Sequence, residues 1–426
     1  MESRQPVGSR ANGHRAGHHR RAAGALVTTA CTIALSGVTA LPAAADENVP
    51  LNSGECKFNT TDIKETPWSL QRLMMQQLWA HTKGEGVRVA VIDTGIDAGN
   101  DQIKPAIGAG GKTFVKDGKA TEDRVGHGTK VAGIIAAQPR STSGFYGLAP
   151  AAKVIPFQQT DQEKPGTADS LAKAVSAAVD EGVDIINISQ GTDASEDLLP
   201  TLKAAVAKAA DRGVLIVASA GNDGASGKEK RMYPAAFQEY DNVLAVAASD
   251  RNNERAAFSQ PGDYVDIAAP GVDMVSTVPD GGNCVDQGTS FAAPYAAGAA
   301  ALLKSLHKDW KPRELIWHLE QTAERVNRGP DHNIGWGVID PVAALNDTTR
   351  PTGHPTPDKP TSQNNTKIQP AALTIGESPE DRRARISLYI VGGGLLAVAA
   401  VVGASIALRD WRRKTAIASH GETHHG

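Results

Sequence analysis

Between residues 85 and 345, short runs of branched apolar residues alternate with longer Ala-rich stretches. The runs VRVAVI (87–92), KVIPF (153–157), VDIINI (183–188), VLIVASA (214–220) and VLAVAA (243–248) lack the polar alternation of a half-exposed strand. They are therefore predicted to be strands buried on both faces. The stretches 127–137, 169–181, 197–212 and 290–307 are predicted as helices, and Gly182 and Gly213 stand where two of them should end. Strand and helix in alternation imply an α/β fold, a doubly wound, mostly parallel sheet with helices on both faces.

Two more apolar runs lie outside this body. Residues 1–21 carry five arginines (Arg4, Arg10, Arg15, Arg20, Arg21), and a mostly apolar run from 22 to 41 leads to Ala43-Ala44-Ala45-Asp46. This is the pattern of a signal peptide over 1–45 with a small-residue cleavage site, the alternative being an uncleaved N-terminal anchor. Residues 386–408 hold no charge and at about 1.5 Å per residue are long enough to cross a bilayer as one helix. Arg409, Arg412, Arg413 and Lys414 follow at once, which places the tail 409–426 in the cytoplasm and the body outside. An extension, 46–84, precedes the body. A polar linker, 346–385, rich in Pro, Thr, Asn, Gln and Lys, tethers it to the predicted transmembrane helix.

A net charge of −3, from 44 basic and 47 acidic residues, gives no pull toward nucleic acid, and none is expected as a partner. Of the three cysteines, Cys31 leaves with the leader. Cys56 and Cys284 remain, an even pair outside the cell that reads as one disulfide, the alternative being two inert buried thiols. No metal or other cofactor is expected: His307 and His318 fall on different helices without partner ligands, HGETHHG at the end reads as a solvated tail, and no acidic loop suggests calcium.

In an open α/β sheet, sites form beyond the carboxyl ends of the strands. The polar punctuation collects there. Strand 87–92 runs into Asp93-Thr94-Gly95, strand 183–188 into Ser189-Gln190-Gly191, and strand 214–220 into Gly221-Asn222-Asp223; GHGT (126–129) and GTS (288–290) each open a helix. Taken singly these are caps and turn residues. Together Ser290, His127, Asp93 and Asn222 supply a nucleophile, a base, a carboxylate to orient the base and an amide donor for an oxyanion, the groups acyl transfer requires.

The segments VAVIDTGID, GHGTKVAGIIAA, ASAGN and GTSFAAP, in the order Asp, His, Ser, resemble the signature segments of the subtilisin-like serine proteases over about residues 85–345. Serine-carboxyl peptidases share a Gly-Thr-Ser nucleophile but use a glutamate base, and the intact His-Gly-Thr argues against them. The resemblance implies Asp93, His127 and Ser290 as the triad and Asn222 as the oxyanion donor. It also implies Ser189, Gln190 and Gly191 as the edge that pairs with a protein or peptide substrate, and Ser219, Ala220 and Gly221, with 233–236, as walls of the primary specificity pocket.

Phe291 and Tyr295 stand where the common pattern has Met and His, and GTSFAAPYAAG resembles the mycosins, membrane-anchored subtilases of type VII secretion systems. The layout of leader, short extension, body, tether and single membrane helix is similar as well. KDGKATEDRVGHG departs from the mycosin pattern, being short and lacking the cysteine expected before His127. The resemblance implies a single-pass protein of the cell membrane beside a type VII secretion complex. The alternatives are a freestanding cell-envelope subtilase and a scaffold component with dispensable proteolysis.

Overall fold

The predicted strand runs form the middle of one parallel sheet because each offers apolar side chains to both faces. In the computed structural model β1 is Arg88–Asp93, β2 Lys112–Thr113, β3 Lys153–Gln158, β4 Ile185–Ile188, β5 Leu215–Ser219, β6 Val243–Ser249 and β7 Ile267–Pro270, in the order β2-β3-β1-β4-β5-β6-β7. All neighbours pair in parallel. In β1, Val89 and Val91 enter the core on one face while Ala90 and Ile92 enter the core on the other. A short antiparallel hairpin, β8 (Met274–Thr277) and β9 (Asn283–Asp286), lies outside this sheet.

The structure describes residues 56, 58–161, 166–325, 327–358 and 379–418, so the signal peptide expected over 1–45 and the middle of the linker, 359–378, lie outside the described residues. The helices are α1 (Trp68–Gln71), α2 (Met75–His81), α3 (His127–Ala136), α4 (Ala168–Asp180), α5 (Pro200–Asp211), α6 (Thr289–Leu306), α7 (Pro312–Thr322), α8 (Pro341–Asn346) and α9 (Pro379–Ala418). Helices α4 and α5 cover one face of the sheet; the other face packs against α3 and α6, with α1, α2, α7 and α8 around them. Gly182 and Gly213, at φ of 72° and 67°, follow α4 and α5 in the left-handed conformation that closes a helix. The helix expected from 197 starts at Pro200, because proline lacks an N–H and is tolerated only in the first turn.

The strands not foreseen have weak signals. β2 is two residues long, and β7, IAAP, contains one branched apolar residue and a proline. Among the described residues of the extension, Asn59 and Thr60 donate their N–H groups to the carbonyls of Pro279 and Gly281, both at 3.1 Å. A disulfide joins Cys56 to Cys284, with 5.8 Å between Cα atoms.

The chain divides near residue 356 into two units. In the first, the start of the expected linker is fixed to the body. Arg350 grips Glu314 through Nε and Nη2 at 2.8 and 3.0 Å and Asp309 through Nη1 at 2.8 Å. The second unit contains α9, in which 380–413 is a span long and apolar enough to cross a membrane and includes the run predicted at 386–408.

Candidate active site

The site begins at the carboxyl end of β1. Asp93 is fully buried, and its Oδ1 accepts from the Thr94 N–H at 2.8 Å and lies 2.7 Å from His127 Nδ1. A carboxylate only accepts, so Nδ1 carries the proton and Nε2 of the neutral ring is free to take one. His127 is the first residue of α3, and a second buried carboxylate builds the turn that presents it. Asp123 accepts from Thr94 Oγ1, Val125 N and Gly126 N through Oδ1, and from Thr129 N and Oγ1 through Oδ2. Burial raises the Asp123 carboxyl above its ordinary range against the pull of these donors. Gly128 has to be glycine, since a Cβ there would lie 2.1 Å from the Gly95 carbonyl oxygen.

Ser290 is the second residue of α6, where backbone N–H groups have no partner within the helix and the helix dipole is positive. Four residues on, Pro294 has no N–H to give the Ser290 carbonyl. The Ser189 hydroxyl donates to that carbonyl instead, at 2.8 Å, and the Ser290 hydroxyl donates to the Ser189 carbonyl at 2.9 Å. This reciprocal pair ties the start of α6 to the loop after β4. Asn222 is fixed by the other end of its amide: Oδ1 accepts from Thr289 N and Thr289 Oγ1, both at 2.9 Å, which leaves Nδ2 as the free end.

A cleft of about 480 Å³ brings His127, Ser290 and Asn222 together with Ser189, Gln190 and Gly191 and with Ser219 and Gly221. Asp93 stands behind His127, outside the cleft lining. Ala220 is also outside it, fully buried, with its carbonyl oxygen 2.7 Å from the Tyr264 hydroxyl. Burial disfavours the charged imidazole of His127, but the Asp93 carboxylate, by charge and by hydrogen bond, outweighs it and holds the ring above its ordinary value. Lys130 pulls downward and Asp123 adds to Asp93.

Lys130, Asp286 and Met232 are among the lining residues not foreseen; Lys130 ion-pairs with Asp286 at 2.5 Å and sits 5.6 Å from the Phe291 ring centroid. Lys130 reads in sequence as a polar helix position, and Met232 as loop; only their neighbours across the fold give them meaning. Elsewhere His307 stacks on Trp310 at 3.9 Å, and His318 Nε2 lies 2.8 Å from the Ala344 carbonyl oxygen.

The sheet order and the Asp, His, Ser sequence around this cleft define the class, a subtilisin-like serine protease. The subtilase family model matches residues 84–337, and the chain belongs to that family. Subtilisin BL of Lederbergia lenta is 39% identical over 285 residues, covering 66% of this chain and 99% of its own. The alkaline protease of Shouchella clausii is 39% identical over 289 residues, covering 67% of this chain and 71% of its own. Solved mycosins are similar as well. MycP3 protease from a type VII (ESX-3) secretion system is 33% identical, with a TM-score of 0.59 over 67% of this chain and 91% of its own. MycP1 from Mycobacterium smegmatis is 29% identical, with a TM-score of 0.60 over 72% of this chain and 92% of its own.

Proposed function

We propose that this subtilase is a membrane-anchored, extracytoplasmic serine endopeptidase of mycosin type, cleaving protein or peptide substrates through Asp93, His127 and Ser290 beside a type VII secretion complex. The observation that carries the catalytic reading is the 2.7 Å contact between His127 Nδ1 and the buried Asp93, set behind a cleft that holds Ser290 and Asn222. For attack, the Ser290 hydroxyl leaves the Ser189 carbonyl and gives its proton to His127 Nε2 as Oγ bonds to the scissile carbonyl carbon. Asn222 Nδ2 and the Ser290 N–H donate to the developing oxyanion, aided by the helix dipole. His127 then protonates the leaving amine, and water repeats the sequence on the acyl-enzyme. Ser189, Gln190 and Gly191 offer an edge to which an extended substrate adds as a strand. The chemistry needs no cofactor.

The anchoring reading rests on the apolar run 386–408 within α9 and the arginines that follow that run, and the secretion reading on the similar mycosins. A freestanding envelope protease is favoured by one observation, the higher identity to subtilisin BL and the alkaline protease. Kinetics test the triad: Ser290→Ala or His127→Ala should cut kcat for a cleavable peptide by about 10⁴-fold or more. A deletion strain tests the setting. Ser290→Ala should still support assembly of the secretion complex, whereas a chain ending at 356 should cleave peptides without supporting assembly. Full secretion with the anchorless chain favours the freestanding enzyme.

A further inference from the structure

The turn that presents His127 is completed from outside the α/β body. Gly126, the residue before it, is buried and left-handed at φ 84°, and its N–H is held by the Asp123 carboxylate at 2.7 Å. A Cβ built on Gly126 would meet Cε1 and Cζ of Phe58 at 2.6 and 2.9 Å and Cδ of Pro279 at 3.1 Å. The edge of the Phe58 ring, from the N-terminal extension, therefore rests where any other residue would place its own side chain. Phe58 is part of neither apolar core and stays 36% exposed, so core packing does not account for its position.

The chain around Phe58 holds it there. Cys56 is bonded to Cys284, and the Asn59 and Thr60 N–H groups reach the carbonyls of Pro279 and Gly281. Beyond them the Thr60 hydroxyl donates to the Asn283 carbonyl at 2.9 Å, the Asn283 N–H to the Thr61 carbonyl at 3.3 Å, and the Ile63 N–H to Asn283 Oδ1 at 3.1 Å. On the other arm of the same hairpin, the hydroxyls of Ser276 and Thr277 donate to the carbonyls of Lys130 and Thr129 at 2.6 and 2.9 Å. The hairpin β8–β9 thus carries both the extension and the first turn of α3, and the Phe58 ring closes the angle between them. None of the described residues of the extension lines the cleft.

We infer that Phe58 is a positioning residue for His127, so that the N-terminal extension is a working part of the peptidase. The inference rests on the peptidase reading above. Glycine is the residue with the widest backbone freedom, and here it immediately precedes the proposed base. His127 must keep Nδ1 on Asp93 while Nε2 faces Ser290, and a small swing about Gly126 spoils both. Phe58 on one side and Pro279 beside it take up the space into which that swing would go, and the disulfide keeps Phe58 from lifting away.

The test is peptide hydrolysis by the full chain, wild type against Phe58→Ala, Phe58→Leu and the double variant Cys56→Ser, Cys284→Ser, at a temperature where melting shows each folded. Rates are expressed per Ser290 titrated with a serine-reactive phosphonate, so that unfolded protein does not count. Phe58→Ala should lower kcat about tenfold with KM changed less than about twofold, and slow the phosphonate reaction by a similar factor, as misplacement of a reacting group does. Phe58→Leu, which keeps an apolar cover, should recover most of the rate. The double serine variant should show the same kcat loss in smaller measure, because the hydrogen bonds at 59–63 remain. Wild-type kcat per site in Phe58→Ala overturns the inference, as does a change confined to KM, which would make Phe58 a substrate contact, or an equal loss in the alanine and leucine variants. Should Phe58→Ala not fold, the double serine variant carries the test, and wild-type kcat in it overturns the inference. In each of these cases the peptidase reading stands; a wild-type chain that neither cleaves peptides nor takes the phosphonate overturns both.

Discussion

Ser290 owes its setting to a proline. Pro294 frees the Ser290 carbonyl from the helix, and Ser189 takes it up, so the nucleophile candidate and the substrate-edge candidate hold each other. Ser189→Ala should therefore lower stability by about 1 kcal/mol and slow turnover together, read by thermal melting and kcat. Asn222→Ala should lower kcat by about 10² to 10³-fold, less than loss of Ser290, because the Ser290 N–H survives as a donor. The pH profile reports the charges facing His127. Its imidazole, ordinarily near 6.5, is raised chiefly by Asp93, against burial and Lys130 and with help from Asp123. With the neutral ring as the proposed base, kcat/KM should fall as pH drops through this raised value. Lys130→Met removes the opposing cation and should move that acidic limb upward. Asp286→Asn leaves Lys130 uncompensated and should move it downward. Equal profiles for the two variants would contradict the arrangement.

The central strands were legible in the sequence because a strand buried on both faces must be apolar at every position, and Val89 to Ile92 obey that rule. β7 was not, since its alanines pack against a helix without advertising a strand. That Asp93, His127, Asn222 and Ser290 fall at one end of the sheet was legible because loops after strands and helix starts have local signals. Met232 and Lys130 carry no such signal, as their places in the cleft wall depend on contacts with Gly221 and Asp286, far away in the chain. The same holds for the buried acids Glu320 and Asp266. Burial raises both, and Asp266 raises Glu320 further; His354 Nε2 stands 3.7 Å from Glu320 Oε2. An acid raised on folding contributes stability that is full below its unfolded value, near 4.5 for Glu320, and is lost as pH rises through the folded value. The melting temperature should accordingly fall on going from neutral to alkaline pH, and Glu320→Gln should remove much of that fall; an unchanged slope would count against it. The disulfide acts on another element. Replacing Cys56 and Cys284 by serine should cost about 2 to 4 kcal/mol, measured by denaturant unfolding, with the 58–60 segment losing hydrogen-exchange protection first.

At the scale of the whole molecule, a subtilase body and a helix long and apolar enough to span a bilayer occur in one chain. Deleting α9 should release the chain from membranes in a flotation gradient without altering peptide cleavage, because the residues that line the cleft belong to the first unit. The first part of the linker should stay with the body, held by Arg350 to Asp309 and Glu314. On the proposed function, Ser290 of the membrane-bound chain is an activated nucleophile outside the cytoplasm. Treating intact cells with a membrane-impermeant, serine-reactive phosphonate, followed by peptide mass spectrometry, measures this directly. One label per chain is expected, on Ser290, lost in Ser290→Ala and greatly slowed in His127→Ala. A chain present at the surface that takes no label, or takes it equally without His127, would contradict it.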